Sequence, residues 1–501
     1  MQRLFGILYL DDKRTDIDNK GNHLKKFKSI YDNLEYMIKT KKKELHRTYA
    51  IINKNDNSIN EYITQDFIDE KLFEKMASCN WSLKFNNMKD DRLQNYMQDL
   101  TPSRISYDAD IISVDPDGCV DIDDSISCII KNECIELGIH IADPTSYISL
   151  ESELGKELLN RLESVYLDNI YHMIPESLGQ NISLKKNILN RAYSLIIEFK
   201  TNDITKINEC LKNKNYEYRF NKTNIIVKDN LSYDKFESDL CINLYYKLIY
   251  DIGKQIYMNI YDNIIDYDSH KMVEAYMILC NHLASNHTFI KRINSIKKSN
   301  DNISNKYYNI CLQNAAVYSF DDKIHESIGL KYTHFTSPLR RYVDFLNHII
   351  IYDNINKQIK INKQEEIKKE KIDLDLINNV HRYYKKIYNL RNIHNLIKIY
   401  QQFGENQIIT KSGQIIFIED NNLKVLIDDI IINVTIFNKK IIDNNIIKIL
   451  ESSERHIIFT YKDKEIKFEL FQNINITIYR NKMEINMFRF VIDDLAQDIF
   501  E

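Results

Sequence analysis

The sequence predicts a multidomain α+β protein with a central α/β core between small β-barrels. Three observations predict it. Runs rich in β-branched and aromatic residues, punctuated by polar turns, crowd the two ends of the chain. Strand-like runs alternate with long amphipathic ones in the middle. At 501 residues the chain exceeds what one hydrophobic core organises, and length alone sets a prior of about three domains.

Residues 1–70 read as a small β-barrel. "RLFGILYL" and "RTYAIINK" are strand-like, with the turn "DNKGN" between them and "NKNDNS" after. Lys39 to Lys43 read as a loop. "FIDEKLFEKMASCNW" has helical spacing and opens a helical connector over 71–103. Residues 104–400 form the core. "ADIISV", "SISCII" and "CIELGIHIAD" are expected strands; "YYKLIYDIGKQIYMNIY", "MVEAYMILCNHLASNH" and "NKYYNICLQNAAVYS" are expected helices. Met277, Ile278, Leu279 and Leu283 make a broad apolar stripe at helical period. The mixed-sign run from Ile361 to Leu390 reads as the solvated face of a further helix. Over 401–501, "QIIFIED", "LKVLIDDIIINVTIF", "HIIFTYK", "EIKFEL" and "INITIYR" suggest a second all-β barrel.

Composition narrows the function classes. The 44% apolar and 28% charged residues are those of an ordinary globular chain. A net charge of −4 argues against duplex binding by bulk attraction, so nucleic-acid contact needs local basic patches in a groove. The eight cysteines form no C-x-x-C pair, which favours reduced thiols in a cytosol-like compartment over a structural zinc site. Asp11 and Asp12 cut the first apolar run too short for a signal peptide, and no stretch approaches membrane-spanning length. A cytoplasmic protein without a membrane role is expected.

"VDPDGCVDIDDSIS", residues 114–127, crowds Asp115, Asp117, Asp121, Asp123 and Asp124 together. A solvated loop is the bland reading. A calcium loop fails on its template, which needs Gly at position six and Glu at twelve. Counted from Asp115 those are Val120 and Ile126; from Asp121 they are Ile126 and Asn132. A magnesium site fits better, since hard divalent cations take carboxylate oxygens and bind substrate phosphate as well. One strand delivers Asp115 at its end, Pro116 and Gly118 turn the chain, and a second strand begins after Asp124.

"KYTHFTSPLRRYVDFLNHII", residues 331–350, supplies a basic partner. Ser337 is an expected N-cap and Pro338 suits the first helical position. Leu339, Val343, Leu346 and Ile350 form the buried stripe. Arginines in a first turn oppose the helix dipole, so an anion beside them is expected. For Arg340 that anion is phosphate; Arg341 is better matched to an ion pair with Asp344, with a substrate-phosphate contact as its second role. Acid loop and arginine turn together suggest metal-assisted phosphodiester cleavage.

"VDPDGCVDIDDSIS", "LGIHIADPTSYI", "VYLDNIYHMIPESLGQNISLKKNILNRAYSL" and "YTHFTSPLRRYVDFLNH" resemble, in this order, the ribonuclease II family over residues 104 to about 400. The resemblance implies an RNB catalytic core flanked by OB-like RNA-binding barrels. It implies a processive 3′→5′ exoribonuclease that releases nucleoside 5′-monophosphates from single-stranded RNA, using Mg²⁺. By the same resemblance Asp115, Asp121 and Asp124 hold metal, Asp123 positions the attacking water or a second metal, and Arg340 is the catalytic arginine. Asp117 has no counterpart. Tyr166 corresponds to a tyrosine that stacks on the terminal base, Tyr233 to one that guides the strand, and Glu274 to a glutamate near the 3′-terminal nucleotide. Ala275 stands where members often carry a second acid.

Family members commonly carry two N-terminal barrels, and the first hundred residues here leave room for one. His140 reads as a satisfied structural histidine, and Lys185 and Arg191 as phosphate contacts or surface groups. A monomer is expected, with association to an RNA helicase or degradation complex as an extension. An inactive RNA-binding member acting as a scaffold is the alternative.

Overall fold

The apolar runs in the middle of the chain pair into a seven-stranded sheet in the computed structural model. Its strands are β1 (Ile105–Ser106), β2 (Ile111–Asp115), β3 (Asp124–Ile130), β4 (Ile135–Ala142), β5 (Leu189–Phe199), β6 (Tyr216–Ile226) and β7 (Asp229–Ser232). They lie in the order β7-β2-β3-β4-β5-β6-β1. Pairing is antiparallel from β2 through β6 and parallel at the edges, β7 on β2 and β1 on β6. The structure describes residues 3–10, 16–17, 23–40, 47–63, 70–82, 85, 96, 100, 103–261, 266–299, 303, 305–356, 372–400, 409–419, 422–436, 447–461, 464–480 and 488–492. Asp11 and Asp12, the "DNKGN" turn, Lys41 to Lys43, most of the 71–103 connector and residues 361–371 fall outside that set.

β4 shows how one strand serves two layers. Ile135, Leu137, Ile139 and Ile141 alternate onto one face and join the main core. The helices Leu244–Tyr261 and Ser269–Ala284 cover that face with Ile249, Ile252, Ile256, Met272, Ala275, Tyr276, Leu279 and Leu283. On the opposite face His140 lies between Ser127 Oγ at 2.9 Å and Ser194 Oγ at 2.7 Å. Gly138 belongs there because a Cβ would sit 2.3 Å from Ser127 Oγ and 2.6 Å from His140 Nε2.

The chain divides into two compact units. One comprises Asn80–Ser295 with Ala315–His381, the other Met1–Cys79, Ile296–Asn314 and Arg382–Glu501. These limits differ from the expected breaks at 70, 103 and 400. Residues 296–314 leave the core unit because the helix Lys306–Leu312 buries Tyr308, Cys311 and Leu312 against Ile416 and Phe417. The core unit starts earlier than 104 because Ser82 donates to Glu157 and the Arg161 guanidinium lies over the rings of Trp81 and Phe85.

In the second unit the N-terminal strands form an antiparallel sheet packed on Leu4, Leu8, Phe27, Ile38, Ala50 and Ile52. Its C-terminal strands form a five-stranded sheet ordered 430–435, 422–427, 409–419, 473–480, 488–492, and a three-stranded sheet over 447–469. Among the described residues no helix is long and apolar enough to cross a membrane.

Candidate active site

The acid loop hangs from one edge of the seven-stranded sheet. β2 and β7 are parallel, with Asp115 paired to Ser232, so both strands end at that edge. β3, antiparallel to β2, begins there with Asp124. The β2–β3 ladder holds only Ile111 to Ser127 and Ile112 to Ile126, so the chain opens into the loop beyond Ile112. Cys119 N donates to Pro116 O at 3.1 Å, and Gly118 takes φ +73°, a backbone region open to glycine. Buried Ile122 anchors the loop: its amide donates to Ser183 Oγ, and its carbonyl accepts from Leu184 N.

The second half of the site is the turn before the helix Tyr342–Asn356. The expected helix start at Ser337 is corrected here. Residues 337–341 form a turn, with Arg341 N donating to Ser337 O, and the Tyr342 amide is taken by Leu162 O. Ser337 caps no helix; its amide donates to Asp344 Oδ1 at 2.8 Å and its Oγ accepts from Arg340 Nη2 at 3.0 Å. The expected stripe of Leu339, Val343, Leu346 and Ile350 is buried.

Turn and loop meet at Asp123. Its Oδ1 accepts from Leu339 N at 3.1 Å and its Oδ2 from Arg340 Nε at 3.3 Å, while its carbonyl accepts from Ala142 N at 2.8 Å. The anion expected beside the arginine turn is thus, within the chain, Asp123 itself. The Arg340 side chain remains 45% exposed, so the guanidinium can meet a second anion.

Burial dominates the electrostatics of the loop. It pushes the Asp123 carboxyl up to about 7, against the pull of Arg340. It pushes Asp115 up to about 6, with a Ser113 hydrogen bond opposing. Asp124 is raised well above the carboxylate range by burial and by the charges of Asp115 and Asp123. Asp115 Oδ2 is buried without a hydrogen-bond partner. Asp121 faces His172, whose Nδ1 lies 2.9 Å from its Oδ2 and whose pKa this contact raises. Among the described residues no three His, Cys, Asp or Glu side chains already stand as an ion cage. The donor set of Asp115, Asp121 and Asp124 is all hard oxygen, with an orphaned oxygen and crowded negative charge, and it fits a hard divalent cation.

The other expected residues fall at varied places. Tyr166, in the hairpin of Val165–Tyr166 with Ile170–Tyr171, is 41% exposed, and its hydroxyl lies in the field of Arg340, Asp123 and Asp121. Tyr233 follows Ser232, the N-cap of its helix, and its hydroxyl feels Asp124 and Asp115. Glu274 is exposed and accepts from Tyr261 Oη at 2.8 Å. Arg341 Nη2 donates to Asp344 Oδ1 at 2.7 Å. The Arg341–Asp344 pair was expected from the sequence; His172, the Leu339 amide and the bond from Ser337 N to Asp344 were not. His172 lay inside a quoted motif, but nothing local tied it to Asp121, 51 positions earlier.

Fold and acid loop together point to a class, multidomain chains built on an RNB domain. The RNB domain profile matches residues 104–244 and 284–357, so the chain carries an RNB domain. It is 38% identical over 126 residues to the exosome complex exonuclease RRP44 of Mus musculus, covering 25% of this chain and 12% of that protein. To ribonuclease R of Buchnera aphidicola it is 26% identical over 322 residues, covering 48% of this chain and 43% of the relative. The matches therefore span less than half of these relatives. The fold is similar to Mycoplasma genitalium RNase R, solved with ribose-methylated single-stranded RNA, at a TM-score of 0.67 and 16% identity, covering 98% of this chain and 89% of that one. It is similar as well to yeast Ssd1, described as a pseudonuclease, at a TM-score of 0.67 and 13% identity, covering 98% and 82%.

Proposed function

We propose that this chain is a 3′→5′ exoribonuclease that hydrolyses single-stranded RNA processively to nucleoside 5′-monophosphates, assisted by Mg²⁺. The observation that carries the reading is the junction at Asp123, where a buried acid loop meets the Leu339 amide and the half-exposed Arg340 guanidinium. Asp115, Asp121 and Asp124 would hold the cation, directly or through water. When bound, that ion would supply Lewis-acid polarisation of the phosphoryl oxygen and a more acidic water.

The chain's own groups supply the rest. Asp123, oriented by Leu339 N and Arg340 Nε, accepts a hydrogen bond from the attacking water. Arg340 Nη groups stabilise charge that builds on the phosphoryl oxygens. Water oxygen bonds to phosphorus as its proton is lost to solvent, and the bond to the O3′ of the preceding nucleotide breaks, that oxygen taking up a proton to leave as the new 3′-hydroxyl. Tyr166 offers a ring to the terminal base, Tyr233 lines the path of the strand, and Glu274 lies toward the 3′ nucleotide. Arg341 serves mainly to fix the turn through Asp344. A narrow channel that admits only unpaired strand, with RNA-gripping OB-like barrels, completes the proposal. The site of action is taken as cytoplasmic. Association with a degradation complex is favoured by the relatives named as exosome exonucleases.

The likeness to Ssd1 favours a second reading, an RNA-binding scaffold without catalysis. The presence of all four aspartates and Arg340 weighs against it. End-labelled RNA and matched DNA, incubated with and without Mg²⁺, decide between them. Stepwise loss from the 3′ end of RNA supports the enzyme; binding without shortening supports the scaffold.

A further inference from the structure

The rings of Tyr233 and His270 are stacked, with centroids 3.7 Å apart and planes 15° apart. The pair is built rather than incidental. Tyr233 is fixed by Ser232, which caps its helix by accepting from Lys235 N. His270 is fixed by the start of the helix Ser269–Ala284, where Asp268 accepts from Lys271 N. Glu237, near the end of the helix Tyr233–Asp239, ties that helix to the start of the next: its Oε1 accepts from Ser269 N at 2.9 Å and from Ser269 Oγ at 2.5 Å. Tyr233 is half-buried beside the acid loop, whereas His270 is exposed. A ring pair at this spacing has the geometry of two stacked bases, with its buried end at the carboxylates and its outer end toward solvent.

We propose that His270 is a nucleobase-stacking residue, the outer step of a Tyr233–His270 platform that receives one base of the RNA leading into the acid loop. The proposal rests on the RNA-degrading reading of this site. A flat aromatic face takes any base, so the step contributes affinity and register without sequence preference. The histidine acts as a ring, not as a cation. Phenylalanine can therefore replace it, and lysine cannot.

The test uses the full chain carrying Asp123→Asn, without divalent cation, so that RNA is bound and not cut. Oligoribonucleotides carry 2-aminopurine at successive positions from the 3′ end, and fluorescence quenching is read with the dissociation constant. The expected result is quenching at one position that is lost in His270→Ala and His270→Lys and retained in His270→Phe. Affinity should fall roughly tenfold in the first two, within the range of one lost base–aromatic stack. If the parent chain binds RNA and His270→Ala binds equally well with unchanged quenching, the platform is wrong while the RNA reading stands. If His270→Lys matches the parent, charge and not stacking is at work, and the proposal also fails. If the parent binds no RNA, both readings fall together.

Discussion

Arg340 and Asp123 are separated by 217 positions in the chain, and Arg340 Nε lies 3.3 Å from Asp123 Oδ2. The neighbouring Leu339 amide reaches the other oxygen of the same carboxylate. One buried side chain thus ties the acid loop to the arginine turn. It leaves the Arg340 side chain 45% exposed, with Nη2 donating to Ser337 Oγ.

That arrangement predicts the behaviour of Arg340. Its Nε serves Asp123 while its Nη2 serves Ser337, a fork that lysine cannot reproduce. Arg340→Lys and Arg340→Ala should both lower kcat, by roughly a hundredfold or more, with a smaller change in KM. Steady-state digestion of a labelled oligoribonucleotide measures both. Full rescue by lysine would show that charge alone suffices.

Asp344 is the clamp behind the turn. It is fully buried and accepts from both Ser337 N and Arg341 Nη2. Asp344→Ala strands a mostly buried guanidinium and should cost about 3 kcal/mol of stability. Urea denaturation checks this, and a loss below about 1 kcal/mol would show that water replaces the pair.

Stability should also fall with acid. Burial holds the His140 pKa down to about 3, and burial with nearby cations drives His334 the same way. In the unfolded chain these groups titrate near 6.5, at about the ordinary histidine value. Between that pH and the folded value the unfolded chain binds protons that the folded chain does not. The histidine contribution is thus complete above about pH 6.5 and declines below it, by at most about 1.4 kcal/mol per pH unit for each group. Asp143 is depressed well below the carboxylate range by Lys222, His348 and Arg104, and its contribution declines only below about pH 4. His140→Gln should remove about one proton from the uptake on unfolding between pH 6.5 and 4, read from denaturation midpoints across pH.

Binding of a divalent cation should stabilise the fold. At a hundred times its dissociation constant, Mg²⁺ should add about 2.7 kcal/mol, seen as a rise in Tm. Asp124→Asn should abolish that rise. A Tm that ignores Mg²⁺ in the parent chain would remove the metal from the account.

Local signals made much of the architecture legible. Alternation in "CIELGIHIAD" gave β4, and the 3.6-residue stripe gave the helix Ser269–Ala284. The four aspartates stood out because their spacing lies within one loop. The start of the 342–356 helix did not follow its local signals. Ser337 and Pro338 have the chemistry of a cap, but Leu162 O takes the Tyr342 amide and Asp123 takes the Leu339 amide. Both partners come from distant chain, which no propensity encodes. His172 escaped for the same reason. The boundary near 296–314 was hidden because the side chains that bury Tyr308 lie more than a hundred residues onward, at Ile416 and Phe417.

The most direct measurement is digestion of 3′-tailed, end-labelled single-stranded RNA by the parent chain and by Asp123→Asn, with Mg²⁺ and with chelator. The account predicts a ladder shortening from the 3′ end and nucleoside 5′-monophosphates for the parent with Mg²⁺ alone, while Asp123→Asn retains RNA binding and releases none. Equal cleavage by the Asp123→Asn chain, or intact RNA with the parent chain and Mg²⁺, would contradict it.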